Sequence, residues 1–94
     1  MTTHYQVRIG KRAQKKLKKM DKHQSHLIMS WIKKNLVNTN NPRQFGTGLV
    51  GDRSGEWRYR IGDYRLIADI NDATVTILLL EIGHRREIYQ YKET

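Results

Sequence analysis

The side chains best suited to chemistry are arginines in two short stretches of the second half of the chain, with a histidine and a tyrosine close by. A guanidinium is planar, forked and permanently charged, so it pairs with two oxygens of a phosphodiester. An imidazole exchanges a proton near neutral pH. These residue types favour a site that binds a phosphate and stabilises charge on it. The set comprises Arg58, Arg60, Arg65, His84, Arg85, Arg86 and Tyr89.

The first stretch is predicted to form a β-hairpin around Gly62–Asp63. Apolar and polar residues alternate on both sides, and a glycine-first pair is typical of a two-residue turn. This turn fixes the register, so Arg60 lies directly opposite Arg65, and Arg58 lies opposite Ile67. Like charges placed opposite each other destabilise a sheet by roughly a few tenths of a kcal/mol. We therefore expect an anion to bind between Arg60 and Arg65.

The second stretch follows a strand predicted over Thr74–Ile82, which is rich in β-branched residues. His84 and Arg85 come just past the end of that strand, where a turn can aim them back at the sheet face. A plainer interpretation is open for each residue. A histidine beside arginines is typical of a solvated surface, and Tyr89 could be an aromatic side chain that packs on the sheet.

Periodicity in the rest of the chain predicts an α+β fold in a single domain, residues 1–94. Two successive segments have apolar residues at helical spacing, and Asp21 between them resembles a helix cap. The predicted order is β-α-α-β-β-β, with the helical hairpin packed on a mostly antiparallel sheet. The elements are strand Tyr5–Ile9, helix Lys11–Met20, helix Lys22–Val37, a short strand Leu49–Val50, the hairpin whose second strand is Tyr64–Ile70, and strand Thr74–Ile82.

The chain is strongly basic, with a formal net charge of +9 from 18 Lys and Arg against 9 Asp and Glu. This excess favours a nucleic acid, a ribosomal setting or an acidic protein as partner. Lys15 and Lys18 on the first helix, together with Arg86, are predicted to contact a polyanionic substrate. A solvated helix face is the alternative interpretation of the two lysines.

Several classes of protein are excluded by composition. The chain has no cysteine, so disulfides, thiolate metal sites and cysteine nucleophiles are absent. Its four histidines show no spacing of a metal cage, and we expect neither a metal nor another cofactor. The longest apolar run, Ile77–Leu80, is far shorter than a membrane span, and the first residues lack the apolar core of a signal peptide. We expect a cytoplasmic protein without membrane contact.

The segments Trp57–Ile67 and Glu81–Tyr89 together resemble the RelE family of bacterial and archaeal toxins, within the RelE/ParE superfamily. The order of elements and the basic helical hairpin are also similar. The resemblance implies the toxin of a type II toxin–antitoxin pair that cleaves mRNA in the A site of the 70S ribosome. It implies a metal-independent attack by the ribose 2′-hydroxyl, which leaves a 2′,3′-cyclic phosphate, and inhibition by a cognate RelB-like antitoxin.

The resemblance also implies roles for individual residues. Arg65 and Arg85 would stabilise charge on the phosphorane, and Arg58 and Arg60 would position the phosphate or assist proton transfer. Tyr89 would stack on the substrate or protonate it.

The general base is left open by the sequence. Some relatives carry a glutamate after the second helix, but residues 35–50 contain no acid. His84 is the first candidate, since some branches of the family have a histidine there, and Glu81 or Tyr89 is the second.

Two other functions are compatible with the sequence. One is a non-catalytic inhibitor like the ParE branch of the superfamily, which poisons DNA gyrase. The other is a plain RNA-binding or ribosome-binding module, for which the basic helix suffices. The run His84–Tyr89 argues for catalysis, because a protein that only binds has no need of it.

Overall fold

A computed structural model describes residues 3–87 of the chain, apart from the side chain of Arg53. The order confirms the predicted α+β fold, including a short strand before the β-hairpin. The elements are β1 (Gln6–Ile9), α1 (Lys11–Lys19), α2 (Lys22–Asn35), β2 (Thr47–Gly48), β3 (Trp57–Ile61), β4 (Tyr64–Asn71) and β5 (Thr76–His84).

The strands form one sheet in the order β1-β5-β4-β3-β2. β1 pairs with β5 in parallel, whereas the other neighbours are antiparallel, so the sheet is mostly antiparallel as predicted. β5 lies between the first strand and the β-hairpin. Neither helix of the described part of the chain has the length and apolar composition needed to cross a membrane.

The register of the β3–β4 hairpin is the one predicted from its turn. Arg60 is the direct partner of Arg65, and Tyr59 is the partner of Leu66. Gly62 has a φ of +59°, a left-handed value that glycine adopts without steric cost. The two-residue turn therefore places the two arginines opposite each other at its base.

Both helices begin where the sequence predicts, and they cover one face of the sheet. The carboxylate of Asp21 accepts hydrogen bonds from the backbone N–H groups of His23 (3.1 Å) and Gln24 (3.3 Å), which caps α2. The core lies between helices and sheet. Its buried residues include Ala13, Ile28, Ile32 and Leu36 from the helices and Tyr59, Leu66, Ala68, Ile77 and Leu79 from the strands.

The predicted end of the last strand is wrong by two residues, because β5 continues through a β-bulge to His84. Glu81 pairs with Ile67 and Leu79 pairs with Ala68, which leaves Leu80 as the extra residue between them. Beyond the bulge, β5 stays in register with the start of β4.

The predicted short strand Leu49–Val50 is also displaced. The residues that pair with β3 are Thr47 and Gly48. Leu49 instead packs in a small cluster with Ile67, while the side chain of Val50 is 70% exposed. Burial of Leu49 against the sheet, rather than strand pairing, explains its apolar character.

Candidate functional site

The turn of the β3–β4 hairpin meets the end of β5, and we call this place the hairpin tip (residues 60–65 and 83–86). The backbone N–H of Arg85 donates a 2.8 Å hydrogen bond to the carbonyl of Asp63. In the sheet, Gly83 is the partner of Arg65, which in turn is the partner of Arg60. The fold thus brings arginines from both predicted stretches together at one end of strands β3, β4 and β5.

The alternation of the strands divides the candidate residues between the two faces of the sheet. Tyr59 and Leu66 pack under the helices, so their neighbours Arg58, Arg60 and Arg65 lie on the other face. We call this surface the arginine face. Glu81 belongs to it as well, because it is the partner of Ile67, the residue opposite Arg58.

Arg60 and Arg65 face each other across the ladder but differ in their surroundings. Arg60 is exposed, whereas Arg65 is only 4% exposed. The Nη1 atom of Arg65 donates to the carbonyl oxygens of Gly62 (3.0 Å) and Tyr64 (3.1 Å). The guanidinium of Arg65 therefore turns towards the backbone of its own turn, which relieves part of the repulsion between the pair.

His84 lies on the helix face rather than on the arginine face. Its partner in the sheet is Tyr64, and the two rings make an edge-on contact with centroids 5.8 Å apart. It lines an open groove of about 590 Å³ together with Leu27 and Trp31 of α2. The expectation that His84 lies past the strand, where a turn aims it back at the sheet face, is wrong, because β5 continues to residue 84 and strand alternation sets the direction of this side chain.

The imidazole of His84 is held by a backbone contact. Its Nδ1 is 3.3 Å from the backbone nitrogen of Arg86 and accepts that N–H. A ring nitrogen that accepts a hydrogen bond carries no proton, so the proton in this arrangement is on Nε2. His84 then has a donor available at Nε2 and no acceptor.

Two ion pairs join α1 to β5 and the residues after it. Arg12 pairs with Glu81 at 2.8 Å, and Lys16 pairs with Glu87 at 3.1 Å. The lysine holds the pKa of the Glu87 carboxyl below its usual value. The sequence interpretation missed Arg12 and Lys16, although their spacing of four residues places them on one flank of the helix.

The remaining predicted site residues differ in their exposure and in their distance along the chain from the hairpin tip. Arg85 and Arg86 are exposed and follow β5 directly, and Arg58 is half-buried. Lys15 and Lys18 are exposed on the side of α1 away from the buried Ala13. Tyr89 lies outside the described residues. Between residues 3 and 87, no group of three His, Asp or Glu side chains could hold a metal.

A helical hairpin on a five-stranded sheet, with arginines at one hairpin tip, defines a small toxin of the RelE/ParE type. The family model described as the ParE toxin of type II toxin–antitoxin systems matches residues 7–89. The chain therefore belongs to this family. A comparison with curated protein sequences gives no significant match.

Solved structures of RelE toxins share the fold. The RelBE2 toxin–antitoxin complex of Mycobacterium tuberculosis is similar with a TM-score of 0.80 and 26% identity, covering 90% of this chain and 95% of the other. The RelE–RelB complex of Pyrococcus horikoshii gives 0.64 and 26%, covering 90% and 97%. The isolated RelE toxin of Escherichia coli gives 0.68 and 21%, covering 93% of each chain, and this likeness concerns the fold alone.

Proposed function

We propose that this toxin is a ribosome-dependent mRNA endonuclease that cuts in the ribosomal A site without a metal. The observation that carries the proposal is the convergence of Arg60, Arg65 and Arg85 at the hairpin tip, fixed by the bond from Arg85 to the Asp63 carbonyl. A cluster of guanidinium groups is suited to a phosphodiester on which negative charge grows during the reaction.

The reaction is an internal transfer within the RNA. The 2′-oxygen of the ribose forms a bond to the adjacent phosphorus, the bond from phosphorus to the 5′-oxygen breaks, and a 2′,3′-cyclic phosphate remains. One proton leaves the 2′-hydroxyl and one is taken up by the 5′-oxygen. Arg60 and Arg85 are exposed and supply the direct contacts to the phosphate oxygens, with Arg58, Arg86 and Tyr89 as further contacts.

The two described candidates for the general base, His84 and Glu81, lie on opposite faces of the sheet. Nε2–H of His84 is a hydrogen-bond donor, which suits this residue to stabilise the negative charge that grows on the leaving 5′-oxygen rather than to act as the base, and water supplies the proton that this oxygen takes up. Glu81 is a carboxylate on the arginine face, and it forms an ion pair with Arg12 at 2.8 Å. The ribosome then contributes by aligning the 2′-hydroxyl with the phosphorus.

A cognate antitoxin completes the proposal. The solved relatives from M. tuberculosis and P. horikoshii are toxin–antitoxin complexes. A net charge of +9 favours a partner with acidic or amphipathic segments. We propose a RelB-like protein that covers the arginine face or displaces the segment that carries Arg85 and Tyr89.

The test is cleavage of mRNA on purified translating ribosomes, read by mapping the cut sites and the chemistry of the new ends. Cuts in the A site with 2′,3′-cyclic ends, unchanged by a chelator, are expected. Arg60→Ala and Arg85→Ala should each lower the rate at least about 100-fold. Arg8→Ala is the matched control, because Arg8 is an exposed arginine on β1, at the far edge of the sheet. Full activity of both site variants would overturn the assignment.

A second candidate function is the inhibition of DNA gyrase, which the ParE description of the matching family favours. In this case the hairpin tip would be a binding surface only. Plasmid supercoiling with purified gyrase distinguishes the two. Inhibition of supercoiling together with intact mRNA on ribosomes would replace the nuclease proposal, and ribosome binding without either effect would indicate a plain binding module.

A further inference from the structure

We infer that Glu87 is a positioning residue, whose carboxylate ties the segment that carries Arg85 and Arg86 to the end of β5 and to helix α1. The inference deepens the proposed function and rests on it only in taking Arg85 as a contact to the RNA phosphate. It concerns an acid that lies next to these arginines in the chain and takes no part in the proposed chemistry.

Glu87 and His84 make a reciprocal pair of contacts like that of a helix capping box. Oε1 of Glu87 accepts the backbone N–H of His84 at 3.2 Å, and Nδ1 of His84 accepts the backbone N–H of Arg86 at 3.3 Å. Residues 85–87 are helical, so His84 stands at the N-cap and Glu87 three residues after it, where a capping box has its acid. The two contacts therefore fix the turn by which the chain leaves β5.

The N–H of His84 needs this acceptor because it lies beyond the reach of β1. Successive N–H groups of a strand point to opposite edges, and that of Arg85 points towards β4, where the Asp63 carbonyl accepts it. The N–H of His84 therefore points to the other edge of β5. β1 pairs only with residues 76–79 of β5, so Glu87 takes the place of a strand neighbour at this position.

Lys16 of α1 holds the same carboxylate from the other side. Its Nζ lies 3.1 Å from Oε2 and 3.4 Å from Oε1 of Glu87. Lys16 is half-buried, and it extends from a helix that is fixed to the sheet through the fully buried Ala13. An exposed ion pair is weak by itself, but this one orients a carboxylate that also accepts a backbone hydrogen bond.

These contacts fix the backbone from which the two arginines extend. The N–H groups of residues 84, 85 and 86 are each held, by Glu87, Asp63 and His84 in turn. A backbone that is ordered before binding spares the site the entropy of ordering it around a phosphate. The charge of Glu87 alone would act the other way, because an acid beside arginines weakens their attraction for an anion. The sign of the effect therefore distinguishes positioning from electrostatics.

The test is titration of the intact protein with inorganic phosphate and, separately, with a short single-stranded RNA, followed by the arginine Nε–H resonances in ¹⁵N-resolved NMR. Glu87→Ala should weaken the binding of both ligands about tenfold, although the variant removes a negative charge. Glu87→Gln keeps an acceptor for the N–H of His84 and should bind within about threefold of the native protein. Unchanged or tighter binding in Glu87→Ala would overturn the inference.

A matched pair of variants tests the contact from α1. Lys16→Met and Lys19→Met each remove one lysine charge from the same helix, but Lys19 forms no ion pair with residues 3–87. Lys16→Met should weaken phosphate binding clearly more than Lys19→Met does. Equal effects of the two variants would mean that the lysine acts only through its charge, and would overturn the part given to Lys16.

Hydrogen exchange of the backbone amides of His84 and Arg86 gives a second readout, without a ligand. Glu87→Ala should speed both about tenfold, the effect of losing about one hydrogen bond. Lys16→Met added to Glu87→Ala should cause no further increase, because the lysine acts through the carboxylate. Native exchange rates in Glu87→Ala would overturn the inference, and should that variant not fold, Glu87→Gln and Lys16→Met decide by the same two readouts.

These readouts need neither ribosomes nor cleavage, so failure of the nuclease proposal is a separate result. Absence of cleavage together with weaker phosphate binding in Glu87→Ala leaves the inference in place. If the native protein binds neither ligand, the phosphate contact of Arg85 is refuted, and the exchange of the two amides still decides whether Glu87 holds this segment.

Discussion

The ring of His84 stands edge-on to the ring of Tyr64, with an interplanar angle of 76° and a centroid distance of 5.8 Å. Together with the contact from the Arg86 N–H to Nδ1, this fixes the plane of the imidazole and leaves Nε2 as its proton-bearing atom. Each ring nitrogen thus has a separate role: Nδ1 holds the backbone N–H of Arg86, and Nε2 bears the hydrogen-bond donor.

Two isosteric substitutions separate these tasks. In His84→Asn the side-chain oxygen replaces Nδ1, so the fold should be kept and cleavage should fall by about 100-fold or more, because the Nε2–H donor to the leaving oxygen is lost. In His84→Gln the amide lies near Nε2, so a smaller loss of activity is expected. Single-turnover cleavage across pH measures both. Equal rates in native protein and His84→Asn would exclude a role for the His84 Nε2–H group in cleavage.

Gly46 is required by a close approach between its loop and β3. A Cβ atom there would lie 2.2 Å from the carbonyl oxygen of Arg58 and 2.9 Å from Nε1 of Trp57, and the φ is +81°. Gly46→Ala should therefore destabilise the fold through both a backbone clash and a strained φ. Gly51→Ala is the control, because its φ is +71° but nothing lies within 4 Å.

The control should cost about 1–2 kcal/mol from the left-handed φ alone. Gly46→Ala should cost clearly more, since the hydrogen bond from Trp57 Nε1 to the Phe45 carbonyl (2.7 Å) must also shift. Urea unfolding of both variants measures the difference. Equal losses would mean that the loop moves freely away from β3.

The hydroxyl of Tyr59 fixes the same loop from inside the core. It donates a 2.6 Å hydrogen bond to the carbonyl of Pro42, and Tyr59 is fully buried, which raises the pKa of its phenol above the usual range. Tyr59→Phe would leave a buried carbonyl unpaired and should cost about 1–3 kcal/mol in the free energy of unfolding. Tyr64→Phe should cost less, because that hydroxyl bonds to none of residues 3–87.

The hydrogen bonds of Asp72 should make the free energy of unfolding depend on pH in the acid range. Its carboxylate accepts two hydrogen bonds from Arg43 (3.1 and 3.2 Å) and one from Tyr5 (2.6 Å), and these hold its pKa below the usual value. A lowered pKa in the folded state means that the contribution is complete above about pH 4 and is lost as pH falls through the lowered pKa.

Thermal unfolding of Asp72→Asn tests this dependence. The native protein should melt at a higher temperature than the variant at pH 7, and the difference should shrink steadily below about pH 4. The same variant in an Arg43→Gln background should show a smaller difference at pH 7. A constant difference over the whole range would show that the ionisation of Asp72 does not matter.

Local rules predicted the β-hairpin and the helices well. The pair Gly62–Asp63 closes a two-residue turn, and such a turn leaves one register, so the opposition of Arg60 and Arg65 followed directly. Asp21 marked the start of α2 because its short carboxylate side chain satisfies free N–H groups at that point.

Features set by distant parts of the chain were not predictable in this way. The bulge at Leu80 arises where β5 changes from its pairing with both β1 and β4 to β4 alone, and it decides that His84 lies on the helix face. The turn of the Arg65 guanidinium towards carbonyl oxygens depends on side-chain conformation and burial. Strand alternation and register determine the face and position of an arginine in the sheet, but they do not determine the conformation of its side chain.

The position of β5 in the middle of the sheet has a consequence for how the chain is made. β5 is the last of the strands described in residues 3–87 to be synthesised, yet it is the neighbour of both β1 and β4. Before residues 76–84 exist, β1 lacks its strand partner, and Arg85 has not been placed beside Asp63. The long-range pairing delays assembly until late in translation. Incomplete nascent chains should therefore be inactive, and active toxin should form only after β5 has been synthesised.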